Sequence, residues 1–455
     1  MQINESIFKA YDIRGIYPEQ INKDTVYRIA QAYAKFLNPK NVVLGRDVRL
    51  SGDELWEAAK NGLVDHGVNV IDIGVISTDT LYFAVANYMY DGGITISASH
   101  NPAEYNGMKM VSAQAVPISG DTGIQDIKRM VLEGYEYKAA EKGKVTVRNV
   151  TQEYLEKCLS FINKDEIKHF SVVANAMFGP ALQNVMQMNL PITLKMLNES
   201  VDGSFPKGQP DPMQETNRQE TVAMIEQEKP DFGVAWDGDA DRFFMFDENG
   251  RFIPGYYLTA FLGKYFVSRR PGSKVICDPR LTWAIMDDVS SAGGVPIINK
   301  SGHSFFKDRM RKEDAIFAGE SSGHFYFRDY FFADNGLIPF LLILHIMSSE
   351  GKKLSELFDR YFELYPISGE INLQLQDQSV VKSILDKFER NYQDAAKTEK
   401  VDGLSVEYPD WRANVRGSNT EPLLRVNVEA KNQKLLKEKT DEVLKLIDDW
   451  GKLHW

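Results

Sequence analysis

The segment GGITISASHNP (residues 92–102) joins a run of apolar, β-branched residues directly to a polar loop. The same plan recurs in FGVAWDGDADR (232–242) and again in AIFAGESSGH (315–324). The recurrence is too widely spaced for a solenoid, whose repeats are 20 to 50 residues long. It predicts related modules in which a buried strand ends in a functional loop.

Shorter apolar stretches precede each of these segments and also predict buried strands. They are VVLGRD (42–47), SVVANA (171–176) and KVICDPR (274–280). Between the strands the apolar period lengthens, and residues 24–37 place Val26, Ile29, Ala30, Tyr33 and Leu37 on one helical face. This alternation is typical of α/β units. Since ligands of such sheets bind beyond the carboxyl ends of the strands, we expect three α/β modules to offer their loops to a shared central cleft.

The pattern changes after residues 364–375, LYPISGEINLQL. Strand signals follow at 404–406 and 423–428, and an amphipathic helix is predicted at 435–450. The predicted fold class is therefore α/β, with three related α/β modules plus a smaller C-terminal α+β domain.

Composition excludes several classes of partner. The chain has 455 residues, is 43% hydrophobic and carries a net charge of −11, which argues against nonspecific binding to nucleic acid or to an anionic membrane. Cys158 and Cys277 make no disulfide framework or zinc site. The start of the chain lacks the features of a signal peptide, and the longest apolar run (337–347) is shorter than the about 20 residues of a membrane span. We expect a cytoplasmic protein.

Three aspartates, Asp237, Asp239 and Asp241, alternate along the loop DGDADR. Carboxylates this close repel one another unless a cation neutralises them, and oxygen ligands favour Mg²⁺ or Ca²⁺ over zinc. An EF-hand does not fit, because Arg242 stands where its sharp turn needs glycine. The loop predicts Mg²⁺ held by few side chains and a phosphate oxygen; the alternative is a solvated acidic hairpin.

The loop GESSGH (319–324) contains the Gly-x-Ser-x-Gly pattern of a nucleophile elbow around Ser321. That motif requires a helix immediately afterwards, whereas the residues that follow are aromatic and alternate as in a strand. A recognition loop fits better, with Glu320 accepting from sugar hydroxyls and Ser322 donating to them. The alternative is an ordinary turn between strands.

The segment RGSNTEPLLR (416–425) places two arginines around hydroxyl and amide donors. Guanidinium groups present paired N–H donors that suit a dianionic phosphate, so the segment predicts a phosphate site. The alternative is a polar surface turn. The proposed phosphate donors are Arg416, Ser418, Asn419, Thr420 and Arg425.

Ser99 and His100, at the end of the first strand–loop segment, raise the question of a Ser–His nucleophile. Adjacent residues of an extended chain point in opposite directions. A turn relaxes this constraint, but sequence adjacency is still poor evidence for such a pair. A strand-terminating turn before Pro102 is the alternative. Together, however, the four loops supply a serine, a divalent-metal site, a polyol site and a phosphate site. That combination points to phosphoryl transfer, in which catalysis is mostly positioning and charge neutralisation.

With these motifs the chain resembles the α-D-phosphohexomutases, specifically the bacterial phosphomannomutase/phosphoglucomutase branch. The resemblance covers nearly the whole chain and follows the order of the family. It rests on FKAYDIRGI (8–16), SHNP with Asn106, Gly107 and Lys109, DGDADR, the sugar loops GHSFFK (302–307) and GESSGH, and RGSNTEP.

The resemblance implies domains at residues 1–147 (phosphoserine loop), 148–248 (metal loop), 249–365 (sugar recognition) and 366–455 (phosphate binding). It implies that Ser99 carries a phosphoryl group, gives it to a hexose 1- or 6-phosphate, and recovers the other phosphoryl from the resulting 1,6-bisphosphate. One Mg²⁺ would be held by Ser99, Asp237, Asp239 and Asp241, and glucose or mannose 1,6-bisphosphate would be the activator.

Further roles follow from the same resemblance. Lys109, Arg242 and Arg14 would surround the transferring group, with Lys109 moving protons if neighbouring cations lower its pKa. His100 would support the loop and not act as a base. The matched substrate-contacting positions are Tyr11, Arg280, His303, Glu320, Ser322 and His324, besides the phosphate donors of the 416–425 segment.

Two departures from the family pattern leave the choice between mannose and glucose open. The loop at 204–217 lacks an Asn-His before Pro-Asp-Pro, and Ser321 replaces a frequent methionine. Phosphoglucosamine mutase, a serine hydrolase using Ser321 or Ser99, and a non-catalytic sugar-phosphate-binding protein are the other hypotheses. A phosphosugar is the expected partner, and a monomer or weak dimer the expected assembly.

Overall fold

Strands and helices alternate along most of the chain, as the changing apolar period predicts. A computed structural model describes residues 3–375, 377–418 and 423–451. The chain divides into two compact units, Met1–Phe252 with Ser322–Leu354 and Ile253–Ser321 with Ser355–Trp455. The domain limits expected at residues 147, 248 and 365 stay a prediction.

The first module is a mixed sheet flanked by helices. Its elements are β1 (Ile13–Ile16), α1 (Lys23–Leu37), β2 (Asn41–Arg46), α2 (Gly52–Asp65), β3 (Asn69–Val75), α3 (Thr78–Asn87), β4 (Gly92–Ile96), β5 (Tyr105–Ser112), β6 (Val116–Pro117), α4 (Gln125–Leu132) and β7 (Val145–Val147). The strands lie in the order β1-β5-β4-β2-β3-β7, with β6 beside β5. The apolar face expected for α1 is buried in the core of this module, where Val26, Ile29 and Tyr33 are inaccessible to solvent. The helix face that is buried is therefore the apolar face that the sequence predicts.

The second module repeats the pattern on a smaller scale. Its elements are α5 (Thr151–Leu159), β8 (Phe170–Asn175), α6 (Ala181–Gln187), β9 (Ile192–Leu197), α7 (Glu215–Glu228), β10 (Phe232–Trp236), β11 (Phe243–Phe246) and β12 (Phe252–Ile253). The strand order is β12-β11-β10-β8-β9, and β10 is buried along its whole length. A strand that is buried on both faces needs the continuous apolar run that FGVAW provides.

The third module contains α8 (Gly255–Arg269), β13 (Lys274–Cys277), α9 (Trp283–Ser291), β14 (Val295–Ile298), α10 (His303–Glu313), β15 (Phe317–Gly319), β16 (Phe325–Phe327), β17 (Ala333–Asp334), α11 (Ile338–Glu350) and α12 (Leu354–Leu364). Strand β13 is parallel to β14 and to β15, and β16 pairs antiparallel with β17.

The three modules share one arrangement of parallel strands. The trios β4-β2-β3, β10-β8-β9 and β15-β13-β14 have equivalent positions in chain and sheet. The polar loops at 97–102, 237–242 and 320–324 follow β4, β10 and β15 respectively. The internal repeat inferred from the sequence is therefore confirmed.

The C-terminal domain is an antiparallel sheet packed against two helices. Its elements are β18 (Ile371–Gln374), α13 (Val380–Asn391), β19 (Lys397–Glu399), β20 (Leu404–Glu407), β21 (Trp411–Gly417), β22 (Leu423–Ala430) and α14 (Gln433–Gly451). The strand order is β18-β22-β21-β20-β19. The predicted α+β character of this region is confirmed.

The long apolar run near residue 340 forms the buried helix α11. Asn335 Oδ1 accepts hydrogen bonds from the backbone N–H groups of Leu337 (2.8 Å) and Ile338 (2.7 Å) at its start. Gly351, at φ 66°, ends it in the left-handed conformation that favours glycine. Within the described part of the chain, no helix is both long and apolar enough to span a membrane.

Candidate active site

Ser99 lies directly after β4 in a strained conformation that turns its side chain toward the second module. Its φ is 51°, in the left-handed region where non-glycine residues cost energy and often mark functional sites. The hydroxyl of Ser97 accepts a hydrogen bond from the Ser99 backbone N–H (2.9 Å). The Ser99 hydroxyl in turn donates to Asp237 Oδ2 (3.1 Å). The structure therefore joins the predicted nucleophile to the predicted metal loop.

His100 contacts the serine after all. Its Nδ1 lies 3.2 Å from Ser99 Oγ, because the left-handed turn at Ser99 replaces the extended geometry in which adjacent side chains diverge. Burial, followed by the charges of Arg242 and Arg14, lowers the pKa of His100 well below its ordinary value. A neutral imidazole with so low a pKa is a weak proton acceptor, which agrees with a supporting role.

The backbone of the serine loop is held by a residue that the sequence analysis missed. The buried guanidinium of Arg49 donates to four carbonyl oxygens of this loop, and Asp47 Oδ2 accepts from its Nε (3.2 Å). The four acceptors are Ser99 O (2.8 Å), Asn101 O (2.6 Å), Pro102 O (2.6 Å) and Tyr105 O (2.8 Å). No local motif could reveal this role, because the acceptors lie 50 to 56 residues further along the chain.

The three aspartates of the metal loop form a buried trio. Oxygen atoms of Asp237, Asp239 and Asp241 all lie within 4.8 Å of one another. The Oδ1 atoms of Asp239 and Asp241 are buried without a hydrogen-bond partner among the residues that the structure describes. Buried unsatisfied carboxylate oxygens are costly unless a ligand completes them. These residues could therefore hold a metal ion, and hard oxygen donors of this kind fit Mg²⁺.

Two cations face the trio. Lys109 Nζ lies 2.7 Å from Asp239 Oδ2 and 2.5 Å from Asp241 Oδ2. Arg242 Nε donates to Asp237 Oδ2 (2.8 Å), and its Nη2 lies 3.2 Å from Asp211 Oδ1. Three carboxylates thus face two cations, with Asp211 as a further acid at the edge.

The expectation that nearby cations lower the pKa of Lys109 is wrong in this structure. Burial does lower the pKa, but the carboxylates of Asp239 and Asp241 outweigh burial and hold it above its ordinary value. Lys109 is therefore a permanent cation near neutral pH. This charge state suits neutralisation of an anion better than removal of a proton.

The pKa values of Asp237 and Asp239 are shifted in opposite directions. Burial, together with Asp239 and Asp241, raises the pKa of Asp237 to about 7 against the opposing charge of Arg242. Burial and Asp241 act to raise the pKa of Asp239, but Lys109 outweighs them and lowers it. A divalent cation among the three would hold all of them ionised, which is a second reason why they fit a metal.

Helix α3 links the first module to this trio. At its first turn, Thr78 donates from Oγ1 to Asp239 Oδ2 (2.5 Å) and from its backbone N–H to Asp239 O (3.0 Å). Ser97 Oγ also donates to Asp239 Oδ2 (3.1 Å). Gly238 allows the close approach, because a Cβ there would lie 2.9 Å from Ser99 O. The metal loop is thus fixed by contacts that only the folded chain provides.

Arg14 reaches the serine loop from β1. Its Nη1 donates to Asn101 Oδ1 (2.5 Å), and its Nη2 is paired with Asp12. Tyr11 lies in the turn just before β1, and its side chain is partly exposed. The structure therefore places the predicted Arg14 at the serine loop.

His324 extends the same region from the loop after β15. Its Nε2 lies 3.6 Å from Asp241 Oδ1, and its Nδ1 lies 3.2 Å from Ser322 Oγ. The residues that follow form β16, not a helix, so the nucleophile-elbow interpretation lacks the element it requires. Ser321 instead donates its backbone N–H to Asp278 Oδ2 (2.7 Å).

The other predicted residues lie in the second compact unit. Glu320 Oε1 accepts from the backbone N–H of Gly302 (2.8 Å), just before His303 begins α10. Arg280 Nη2 lies 2.7 Å from Asp278 Oδ2 and 4.0 Å from Glu320 Oε1. Glu320, the start of the loop at Gly302 and Arg280 are thus brought together within this unit.

Arg280 also belongs to what we call the arginine cluster, formed by Arg280, Arg416, Arg425 and Glu370. The two strand arginines are direct cross-strand partners on β21 and β22. All three guanidinium groups converge on Glu370, which the sequence analysis did not identify. Ser418 follows β21 and is buried, whereas the predicted donors Asn419 and Thr420 lie outside the described residues.

Comparison with known proteins gives a consistent match along the chain. Domains I, II and III (alpha/beta/alpha) and the C-terminal domain of phosphoglucomutase/phosphomannomutase match residues 5–138, 152–250, 254–365 and 370–446. A phosphomannomutase of Vibrio cholerae serotype O1 is 41% identical over 97% of this chain and 98% of its own. The chain belongs to the phosphoglucomutase/phosphomannomutase family.

Solved structures agree with this assignment. A phosphoglucomutase/phosphomannomutase family protein from Burkholderia thailandensis is 30% identical, with a TM-score of 0.89 over 100% of both chains. An Aspergillus fumigatus N-acetylphosphoglucosamine mutase, solved in complex with glucose 1,6-bisphosphate, shares the fold at 13% identity, with a TM-score of 0.62 over 98% of this chain and 96% of its own. This phosphoglucomutase/phosphomannomutase homologue is therefore a phosphohexomutase, an enzyme that transfers phosphoryl groups.

Proposed function

We propose that this phosphohexomutase interconverts hexose 1-phosphate and hexose 6-phosphate, with mannose, glucose or both as the sugar, through a phosphoserine at Ser99 and a 1,6-bisphosphate intermediate. The observation that carries the proposal is the contact of Ser99 Oγ with Asp237 Oδ2 at 3.1 Å, inside a cluster of three carboxylates and two cations. Phosphoryl transfer needs an oxygen nucleophile and concentrated positive charge, and this cluster offers both once a metal is bound.

Both transfer steps take place at Ser99 Oγ, and the bonds and protons balance in each. In the first, the bond between phosphorus and Ser99 Oγ breaks as a bond to the sugar oxygen forms, and the proton of the sugar hydroxyl finishes on Ser99 Oγ. The second step is the reverse, with the other phosphoryl group of the bisphosphate. One Mg²⁺ per chain, held by Asp237, Asp239, Asp241 and the phosphorylated Ser99, supplies charge neutralisation at the transferring group.

The surrounding residues orient and neutralise. Lys109 and Arg242 contribute fixed positive charge, Arg14 supports the loop through Asn101, and His100 packs beside the serine as a neutral ring. The arginine cluster and Ser418 would bind the phosphate that does not react, and Glu320, Ser322, His303 and His324 would contact sugar hydroxyls. The complex of the Aspergillus mutase with glucose 1,6-bisphosphate supports this substrate class and activator.

The test is a coupled assay of the purified protein with glucose 1-phosphate, mannose 1-phosphate and glucosamine 1-phosphate. We expect turnover of the first, the second or both, loss of activity in EDTA, restoration by Mg²⁺, and stimulation by glucose 1,6-bisphosphate. Preference for glucosamine 1-phosphate would favour phosphoglucosamine mutase instead.

Ser99→Ala should abolish turnover, and phosphopeptide mapping of the active protein should locate phosphate on Ser99. Ser112→Ala, in β5 of the same module, is the matched control, since its hydroxyl only donates to Val116 O. Full activity of the Ser99 variant, or phosphate on another residue, would refute the serine mechanism. The expected monomer or weak dimer stays a prediction.

A further inference from the structure

Arg416 and Arg425 face each other directly across β21 and β22. Two like charges in directly opposite positions on neighbouring strands are destabilising unless an anion is shared between them. Glu370 supplies that anion: its Oε2 accepts from Arg416 Nη2 (3.0 Å), and its Oε1 lies 3.4 Å from Arg425 Nη1. One carboxylate therefore bridges both strand arginines.

The same carboxylate reaches a third arginine from another module. Arg280 Nη1, from the loop after β13, donates to Glu370 Oε2 (3.2 Å). Glu370 stands immediately before β18, which pairs with β22 and so fixes its place beside Arg425. Burial acts to raise the pKa of Glu370, but the three arginines outweigh it and lower the pKa to about 2. The side chain is thus a carboxylate at any physiological pH.

Other acidic groups nearby contact a single arginine of the cluster. Asp278 pairs with Arg280 (2.7 Å), and Asp402 lies 4.0 Å from Arg416. Glu370 differs because its two oxygens engage all three guanidinium groups, in the way that oxygens of a bound phosphate would. Glu370 therefore holds the three guanidinium groups together, and its negative charge opposes an incoming phosphate.

We propose that Glu370 is a positioning residue that substitutes for phosphate in the free enzyme, holding the arginine cluster assembled while limiting its affinity for phosphate. The inference rests on the proposed function, because it takes the cluster to be the site of the non-transferring phosphate. A phosphate competes with Glu370 for the same N–H donors, so part of its binding energy is spent on displacing the carboxylate.

A limited affinity of the arginine cluster for phosphate would help a mutase to turn over. A bisphosphate intermediate must exchange its two phosphates between the transferring and the binding positions, so each phosphate has to leave the arginine cluster once per turnover. Binding energy that is equal in the ground state and the transition state does not raise kcat, and excessive binding slows release. Without Glu370 we expect tighter binding and slower turnover.

The test compares Glu370→Gln with the unchanged protein by isothermal titration with glucose 6-phosphate and with inorganic phosphate. We expect the Kd of both ligands to fall by about threefold or more, since an opposing charge has been removed from beside the ligand. KM and kcat should fall together, and the Kd should rise more steeply with salt concentration. A purely structural role would weaken binding instead.

Two further variants complete the comparison. Glu370→Asp keeps the charge, so its Kd should stay nearer that of the unchanged protein than the Kd of the glutamine variant. Glu389→Gln removes a carboxylate of the same unit from an exposed pair with Lys400, and should leave Kd and kcat unaltered. If the glutamine variant does not fold, Glu370→Ala, which also removes the charge, takes its place.

The outcomes separate this inference from the function on which it rests. Unchanged or weaker phosphate binding in Glu370→Gln, or in Glu370→Ala where it takes that variant's place, with binding still lost in Arg416→Ala, would overturn the role of Glu370 and leave the phosphate site intact. Unchanged glucose 6-phosphate binding in Arg416→Ala and Arg425→Ala would instead refute the phosphate site itself.

Discussion

Two regions of this enzyme are charged in opposite senses. Around Ser99, three buried aspartates face Lys109 and Arg242, so acidic groups are in excess. In the arginine cluster, three guanidinium groups converge on Glu370, while Asp278 and Asp402 each approach only one of them, so positive groups outnumber negative ones at the point of convergence. Each arrangement fits the ligand that we propose for it: a divalent cation in the first region and a phosphate dianion in the second.

The difference also shows how the chain's own residues hold each region together. The acidic region relies on hydrogen bonds from neutral groups, such as Thr78 and Ser97, and on the two cations. The basic region relies on Glu370, the carboxylate that contacts all three guanidinium groups. Buried carboxylate oxygens of Asp239 and Asp241 therefore suit an added cation, whereas Glu370 already neutralises part of the charge of the arginine cluster.

Removing one charge from the acidic region should produce the largest effect. Asp239→Asn should lower kcat on the order of 10³-fold, because the trio loses a metal ligand and Lys109 loses its partner. The increase in melting temperature on adding Mg²⁺ should also disappear. Turnover and thermal unfolding with and without Mg²⁺ measure both, and a variant with normal Mg²⁺ stabilisation would show that the trio is not the metal site.

Arg49→Lys tests whether the serine depends on backbone support as the arginine cluster depends on Glu370. Lysine cannot reproduce the fork that donates to four carbonyl oxygens, and buried acceptors without donors are costly. We expect kcat to fall about 10²-fold and the protein to lose about 2 kcal/mol of stability. Steady-state kinetics and urea unfolding are the measurements.

The matched control for this variant is Arg129→Lys, since Arg129 makes an exposed pair with Asp126 in the same module. Arg129→Lys should change neither kcat nor the free energy of unfolding. Equal kinetics for the Arg49 variant and this control would mean that the serine loop holds its shape without the guanidinium.

Arg416→Ala makes the corresponding change in the other region, because it removes a positive charge from the arginine cluster. It should raise the KM for hexose phosphate about tenfold, the value of one lost charge-assisted hydrogen bond to phosphate, with a smaller change in kcat. Adding Mg²⁺ should stabilise this variant as it does the unchanged protein. A change confined to kcat would place Arg416 at the transferring group instead.

The last expected difference concerns the direction in which the free energy of unfolding changes with pH. Burial raises the pKa of Asp79, at the start of α3, to about 7, so the folded protein holds a proton there that the unfolded chain has lost. The unfolding free energy must then fall as pH rises from about 4 to 7. The pKa of Glu370 is about 2, so its contribution is present above about 4.5 and lost as pH falls toward 2.

Urea unfolding in EDTA across pH measures both slopes. Asp79→Asn should remove a decline of at most about 1.4 kcal/mol per pH unit between pH 4 and 7, and Glu370→Gln should remove a loss of similar size below pH 4.5. Identical slopes in a variant and the unchanged protein would mean that the group does not titrate differently in the two states.

Much of the fold could be predicted, because burial of a strand on both faces demands continuous apolar residues that are visible in one sequence. The segments FGVAW and GGITI are examples, and each ends in the loop that carries its function. Ser99 and Asp237 could be predicted in the same way, since a reactive or metal-binding side chain soon after a strand is a local signal. The backbone conformation of the loop was harder to predict from the sequence, as the contact of His100 with Ser99 shows.

The sequence by itself determined the modules, the loops and the classes of chemistry, because these depend on residue type and on spacing along the chain. Only the tertiary structure decided which charges meet. Arg49 binds carbonyl groups about fifty residues away, Lys109 is held as a cation by aspartates about 130 residues away, and Glu370 is shared by arginines from two modules. The charge state and the donors of a site depend on distances between distant segments, and folding alone sets those distances.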